Sequence, residues 1–173
     1  MINKLKGKKG GISTILAYAI TFLPLLYLIL VSFTWQIRDN TEDYISSTLR
    51  TAIDITTKRG VFDEDVKSFI TNKIGDSSGN GIYRYGVDYA IYIGKQSYED
   101  IGGELNTWDM SSINSANQIY FKVGDVAYAQ FEIINNNKEP MVSRLIKLIG
   151  DNNGAGFDKL LIVQQGMVEV NGN

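Results

Sequence analysis

Cysteine and histidine are both missing from the 173 residues. Without cysteine there is no disulfide framework, no thiolate metal site and no cysteine nucleophile. Without histidine there is no Ser-His-Asp triad and no histidine-ligated zinc, which removes much of hydrolase chemistry. An enzyme is therefore not expected, and neither is a cofactor. An excess of charge of one sign is absent too: 17 Lys and Arg stand against 19 Asp and Glu, for a net charge of −2. That balance leaves no basic face to neutralise phosphates, so nucleic acid is not an expected partner. Two loops carry carboxylates, Asp76 with Asn80 and Asp151, Asn152 and Asn153 with Asp158. Neither has the spacing or the terminal Glu of an EF-hand loop, and their Asn-Gly pairs read as turns, so no metal site is expected.

What the chain does have is one long apolar run, in "KKGGISTILAYAITFLPLLYLILVSF", residues 8–33. Ile12 to Thr34 are 23 consecutive residues without a charge, 13 of them Leu, Ile, Phe or Val. As a helix they would reach about 35 Å, enough for a hydrocarbon core of about 30 Å. On an insertion scale the 13 side chains favour the membrane by about 4–8 kcal/mol. Such a segment is a cleaved secretory signal, a permanent anchor or the assembly helix of a filament. A secretory signal has a shorter apolar region and ends at small residues. Here the exit reads Ser32-Phe33-Thr34-Trp35-Gln36, with bulky aromatics, and Trp35 stands where an interfacial anchor belongs. Lys4, Lys6, Lys8 and Lys9 precede the run and acids outnumber bases just beyond it, which places the N-terminus on the cytoplasmic side. Pro24, near the middle, lacks an N–H and should bend or locally unwind the helix at Ile20.

The helical pattern continues past the run. Ile45, Leu49, Ile53 and Thr56 recur at helical spacing with Ala52 and Ile37 beside them, and Gly60 supplies a stop. The reading is a basic leader over 1–11, one long helix over 12–59 and an extracytoplasmic α+β head over 60–173. Within the helix, 12–35 is transmembrane or filament core and the remainder is amphipathic. Asp63 reads as the N-cap of a second helix with Val66, Phe69, Ile70 and Ile74 on one face, which also explains the acids at Glu64 and Asp65. "GVDYAIYIGK" alternates as a strand, residues 95–118 read as mostly irregular, and "NQIYFKVGDVAYAQFEIINNN" reads as two strands around Gly124-Asp125. Asn135 to Asn137 read as a turn, and a helix or strand edge is expected after Pro140. "KLLIVQQGMVEV" is one strand or a hairpin at Gln165-Gly166. The fold class is α+β, a long N-terminal helix with a small antiparallel sheet of three to five strands. The ten tyrosines mark half-buried sheet faces sooner than a carbohydrate platform.

"KKGG" before the span, Pro24 within it, the helix end "LRTAIDITTKRG" and the strand "GDVAYAQFEI" together resemble a type IV pilin-like protein, and more closely the TadE-like pilins of tight-adherence systems. The resemblance implies a pilin-like subunit held in the inner membrane and drawn into an extracellular filament by an assembly platform and its ATPase. It implies a prepilin peptidase site at Gly10 or Gly11, a kink at Pro24 and an assembly surface including Leu16, Ile20, Leu26 and Leu30. The partners are then other copies of the chain, the membrane before assembly and the assembly machinery, with cell adhesion as the filament's use. The alternative is a single-pass minor pilin or a membrane-anchored component of a secretion, conjugation or pilus-assembly machine. The span carries no acid, and Tyr18 stands six residues before Pro24, where TadE-like chains usually place a glutamate. Assembly has a physical basis without it: a helix that is apolar all round is stable in lipid, and outside lipid it must bury that surface against other copies. More than about 1,000 Å² at roughly 25 cal/mol per Å² amounts to tens of kcal/mol gross. A repeating heterologous contact of this kind propagates as an open helix.

Overall fold

The computed structural model describes residues 6–78, 80–97, 105–135, 160–170 and 172. Its elements are those of an α+β chain with a long apolar N-terminal helix and a small antiparallel sheet. Helix α1 runs Lys6–Arg59. It starts six residues before the expected Ile12, so Gly10 and Gly11 lie inside it and part of the basic leader is helical. A helical glycine costs about 1 kcal/mol relative to alanine but does not forbid the conformation, and a helix already nucleated in the apolar run propagates through it. The local unwinding expected at Pro24 is not seen, since the helix continues through that residue. One turn ahead, the Thr21 hydroxyl donates to the carbonyls of Ala17 at 3.0 Å and Tyr18 at 3.2 Å.

The described residues fall into two units, one holding α1 as far as Ile37 and the other holding Arg38 onward. In the second unit the stripe read from the sequence is the buried one: Ile45, Leu49, Ala52, Ile53 and Thr56 are all inaccessible. Ile37, read beside that stripe, is instead exposed. Gly60 ends the helix with φ of 68° and donates its N–H to the Thr56 carbonyl at 2.8 Å. A short strand β1, Val61–Phe62, leads into α2, Glu64–Ile74. Asp63 caps α2 by accepting the Val66 N–H at 3.1 Å, and also accepts from Arg59 at 2.6 Å. Val66, Ile70 and Ile74 are buried and Phe69 packs partly buried against the same core.

The remaining strands are β2 (Tyr89–Gln96), β3 (Asn106–Asp109), β4 (Ile119–Tyr120), β5 (Val126–Ile133) and β6 (Leu161–Met167). The main sheet has the order β3-β2-β5-β6, every pair antiparallel. Strand β4 pairs with β1 rather than with its neighbour β5. The two strands read around Gly124-Asp125 are thus present but belong to different sheets. Residues 95–118, read as mostly irregular, include β3 and a 3₁₀ turn at Met110–Ser112. The C-terminal segment is one strand, not a hairpin at Gln165-Gly166. The segment after Pro140, the Asp151–Asp158 loop and most of the Asn135–Asn137 turn lie outside the described residues.

One apolar cluster joins the α1 stripe, the buried face of α2 and the inner face of the sheet, where Ile91, Ile93, Ala127, Ala129, Phe131 and Ile162 lie. Strand β6 comes close to α1. A Cβ on Gly166 would stand 2.8 Å from Ile53 Cγ2 and 3.0 Å from Thr57 Cγ2, and Gln164 Nε2 donates to Ser46 Oγ at 2.9 Å. Gly166 is therefore a close-packing glycine. Gly166→Ala should destabilise the fold by about 1–3 kcal/mol, the usual cost of overpacking, measured by denaturant melting of the full chain in detergent. A melting midpoint equal to that of the parent would show that helix and strand can separate freely.

Candidate functional site

The expected assembly residues all lie on α1, in the first unit. From Thr14 the helix has an 18-residue window of mean hydropathy 2.3 with none of its residues buried. By length and composition α1 is able to cross a membrane and is compatible with membrane anchoring. Leu16, Ile20 and Leu26 are exposed, as is Pro24, and Leu30 is half-buried. The exposed large apolar side chains between Ile15 and Ile37 range from 37% accessible at Leu26 to 71% at Tyr18. Apart from the helix's own backbone and the chain neighbours, no atom of the described residues lies within 4 Å of the place a Cβ would take on Gly11.

The helix is not uniform around its circumference. Thr14, Ala17, Tyr18 and Thr21 line one groove, and Leu25, Leu28, Ile29, Ser32, Phe33 and Gln36 line another. At 100° per residue both grooves fall on the same side, and Thr14, Thr21 and Leu28 as well as Tyr18, Leu25 and Ser32 are seven residues apart. The other side is more covered: Tyr27, Leu30 and Val31 are half-buried, and Thr34 is fully buried with its hydroxyl on the Leu30 carbonyl at 2.9 Å. Small and hydroxyl-bearing residues let membrane helices approach closely and supply hydrogen bonds between them. The sequence carries this stripe as its seven-residue spacing, a signal masked by an overall composition that is apolar in every direction.

In the second unit, the residues read as possible cation ligands serve the backbone. Asp76 Oδ1 accepts the N–H groups of Ser78 at 2.9 Å and Asn80 at 3.1 Å, and Oδ2 accepts from Asn80 Nδ2 at 3.1 Å. The Asp63–Asp65 acids lie at the start of α2, with Arg59 2.6 Å from Asp63 and 3.7 Å from Asp65. Among the described residues no three His, Cys, Asp or Glu side chains come together in a way that would hold a metal ion. Tyr83 and Tyr89 are buried in an aromatic cluster with Phe131, where Tyr89 stacks on Phe131 at 5.1 Å between centroids. The Tyr89 hydroxyl donates to the Gly75 carbonyl at 2.6 Å, and burial raises its pKa well above the ordinary tyrosine value, so it remains a donor. Tyr85, Tyr92 and Tyr128 are half-buried. Comparison with family models, with curated proteins and with solved structures gives no match.

Proposed function

We propose that the chain is a structural subunit of a pilus-like extracellular filament, held in the membrane by α1 and polymerised through the same helix. The observation that carries this reading is the exposed apolar surface of α1 from Ile15 to Ile37. Such a surface needs lipid or other protein around it, since contiguous exposed apolar patches beyond a few hundred Å² mark interaction sites. The one-sided stripe of Thr14, Ala17, Thr21, Leu25, Leu28 and Ser32 supports copy-to-copy packing in particular, because the small side chains of Thr14, Ala17, Thr21 and Ser32 let a neighbouring helix approach closely, which lipid does not call for. On this reading the head, residues 60–173, lies outside the cytoplasm, and the partners are further copies of the chain together with an assembly platform and its ATPase. Prepilin peptidase would act at Gly10 or Gly11, where two adjacent glycines lower the cost of unwinding α1.

The same surface suits a membrane-anchored component of a secretion, conjugation or pilus-assembly machine that never polymerises in bulk. Shearing the cells separates the two. A filament subunit should appear in the released fraction with other appendage material. Complete retention in membranes while other pilus material is released would remove the filament reading and leave the anchored component.

A further inference from the structure

A cleft of about 270 Å³ opens on the outer side of the sheet, lined by Tyr85, Gly86, Ala90, Tyr92, Asp109, Ser111 and Ile134. Sheet register assembles it: Tyr92 on β2 pairs directly with Asp109 on β3, so their side chains lie on the same face as cross-strand neighbours. Gly86 leaves its side of the cleft open, with nothing within 4 Å of where a Cβ would stand. Asp109 is fixed in place. Its Oδ1 accepts the Ser111 N–H at 2.7 Å and the Tyr85 hydroxyl at 3.0 Å, and the Tyr85 ring meets Tyr89 edge-on at 5.4 Å. Partial burial pushes the Asp109 carboxyl up, but the donors from Ser111 and Tyr85 and the charge of Lys67 outweigh it and hold it below the ordinary aspartate range. Burial, followed by the bond to Asp109, raises the Tyr85 hydroxyl well above its usual range. The cleft thus offers an ionised acceptor at one end and aromatic surface along its side. The Tyr92 hydroxyl makes no hydrogen bond among the described residues.

Two ligand chemistries use aromatic rings beside a carboxylate: a cationic amine and a sugar ring. Lys67 decides between them. Its ammonium donates to the carbonyls of Ile113 at 2.7 Å and Ser111 at 3.2 Å and acts electrostatically on Asp109. Asp109 is the one acid among the described lining residues, and the Lys67 ammonium held on the carbonyl of Ser111, itself a lining residue, lowers the negative potential that a cation would need. A neutral polyol needs no such potential. It needs an acceptor for its hydroxyls and a π face for the electropositive C–H groups of its ring. The volume, just under the roughly 300–1,000 Å³ of ordinary ligand pockets, suits one ring and not a chain of them.

We propose that this cleft is a saccharide site that takes one neutral pyranose unit, laid against the Tyr92 ring with hydroxyls on Asp109 and Ser111. The site does not depend on whether the chain polymerises. Saturation-transfer NMR on the full chain tests it, in a polyoxyethylene detergent free of sugar and ammonium groups, with the methyl glycosides of glucose, galactose, mannose and N-acetylglucosamine as probes. At least one should bind saturably with a Kd on the order of 1 mM. Tyr92→Ala and Asp109→Asn should each weaken it at least about tenfold, the equivalent of about 1.4 kcal/mol. Asp109→Asn keeps a side-chain oxygen for the Ser111 N–H, so this variant separates loss of recognition from loss of fold. A trisaccharide ending in the bound unit distinguishes the sources. Equal affinity supports the end of a glycan as ligand, whereas exclusion by the added rings supports a free sugar. No saturable transfer from any glycoside, or full binding in both variants, would overturn the proposal. Tetramethylammonium bound in this cleft in preference to every glycoside would overturn it in favour of a cation.

Discussion

If α1 is the core of a filament, as proposed, Leu26→Lys is expected to remove the protein from the sheared extracellular fraction while leaving it in the membrane fraction. Leu26 lies on α1 two residues after Pro24, partly exposed, in a span that holds no acid. On an insertion scale the exchange replaces a gain of about 0.3–0.6 kcal/mol with a cost of about 2.5–3.5 kcal/mol. Against the 4–8 kcal/mol supplied by the apolar residues of the span, about 3–4 kcal/mol weakens insertion without reversing it, and a long lysine side chain lowers the cost further by reaching toward the interface. A filament core gives no such escape. Every copy would bury an ammonium against neighbours that carry no carboxylate between Ile12 and Thr34, at a cost of several kcal/mol per subunit. The volume-conserving Leu26→Met should assemble normally. Filaments formed by Leu26→Lys at the parental yield would show that α1 is not the polymer's core.

The stripe that packs α1 into the second unit was legible because periodicity alone specifies it. Ile45, Leu49, Ala52 and Ile53 keep helical spacing and are buried together. Asp63 and Gly60 were legible for a related reason: a cap and a positive-φ stop are local chemistry, set within a few residues. Strand β3 was not legible. Its four residues, Asn106–Asp109, are mostly exposed and carry no alternation of their own, so only the pairing with β2 makes them a strand. The pairing of β4 with β1 is equally non-local, since Val61↔Tyr120 joins positions 59 residues apart. Gly166 left strand and hairpin both open in the sequence, and the strand is what forms. A glycine after a glutamine allowed a turn as well as a continuous strand; what decides is the close approach of β6 to Ile53 and Thr57 on α1, which sequence spacing does not encode.

The same limit applies to function. The apolar run declared α1 as a membrane-compatible helix from composition, because insertion depends on summed side-chain transfer and not on tertiary partners. The cleft beside Asp109 declared nothing. Tyr85 and Asp109 are 24 residues apart and meet at 3.0 Å only because β2 and β3 pair in the register that sets Tyr92 opposite Asp109.

Lys95→Met should cost about 3–5 kcal/mol of folding stability, the range for breaking a buried ion pair from one side. Lys95 lies on β2 opposite Ala127 of β5 and Asn106 of β3, and its ammonium reaches Asp125 Oδ2 at 3.1 Å. Asp125 is almost fully buried, at 3% side-chain exposure. It also ties its own loop, accepting the Lys122 N–H at 2.8 Å, and its carbonyl accepts the Val168 N–H at 2.8 Å. Lys95 Nζ further donates to the Tyr120 carbonyl at 2.7 Å and stands 5.5 Å from the centre of the Phe121 ring. One ammonium thus connects β2, the end of β4 and the turn before β5. Methionine keeps most of the stem's volume, so the loss reports charge and hydrogen bonding and not a cavity. A carboxylate buried without that cation is the costly species. The double variant Lys95→Met, Asp125→Leu should therefore melt above Lys95→Met alone, although it carries one more substitution. Denaturant melts of the full chain in detergent give both comparisons. A loss within about 0.5 kcal/mol for Lys95→Met would place this pair with surface ion pairs that contribute almost nothing. A double variant less stable than the single one would mean that Asp125's backbone bonds, and not the charge pair, hold the turn.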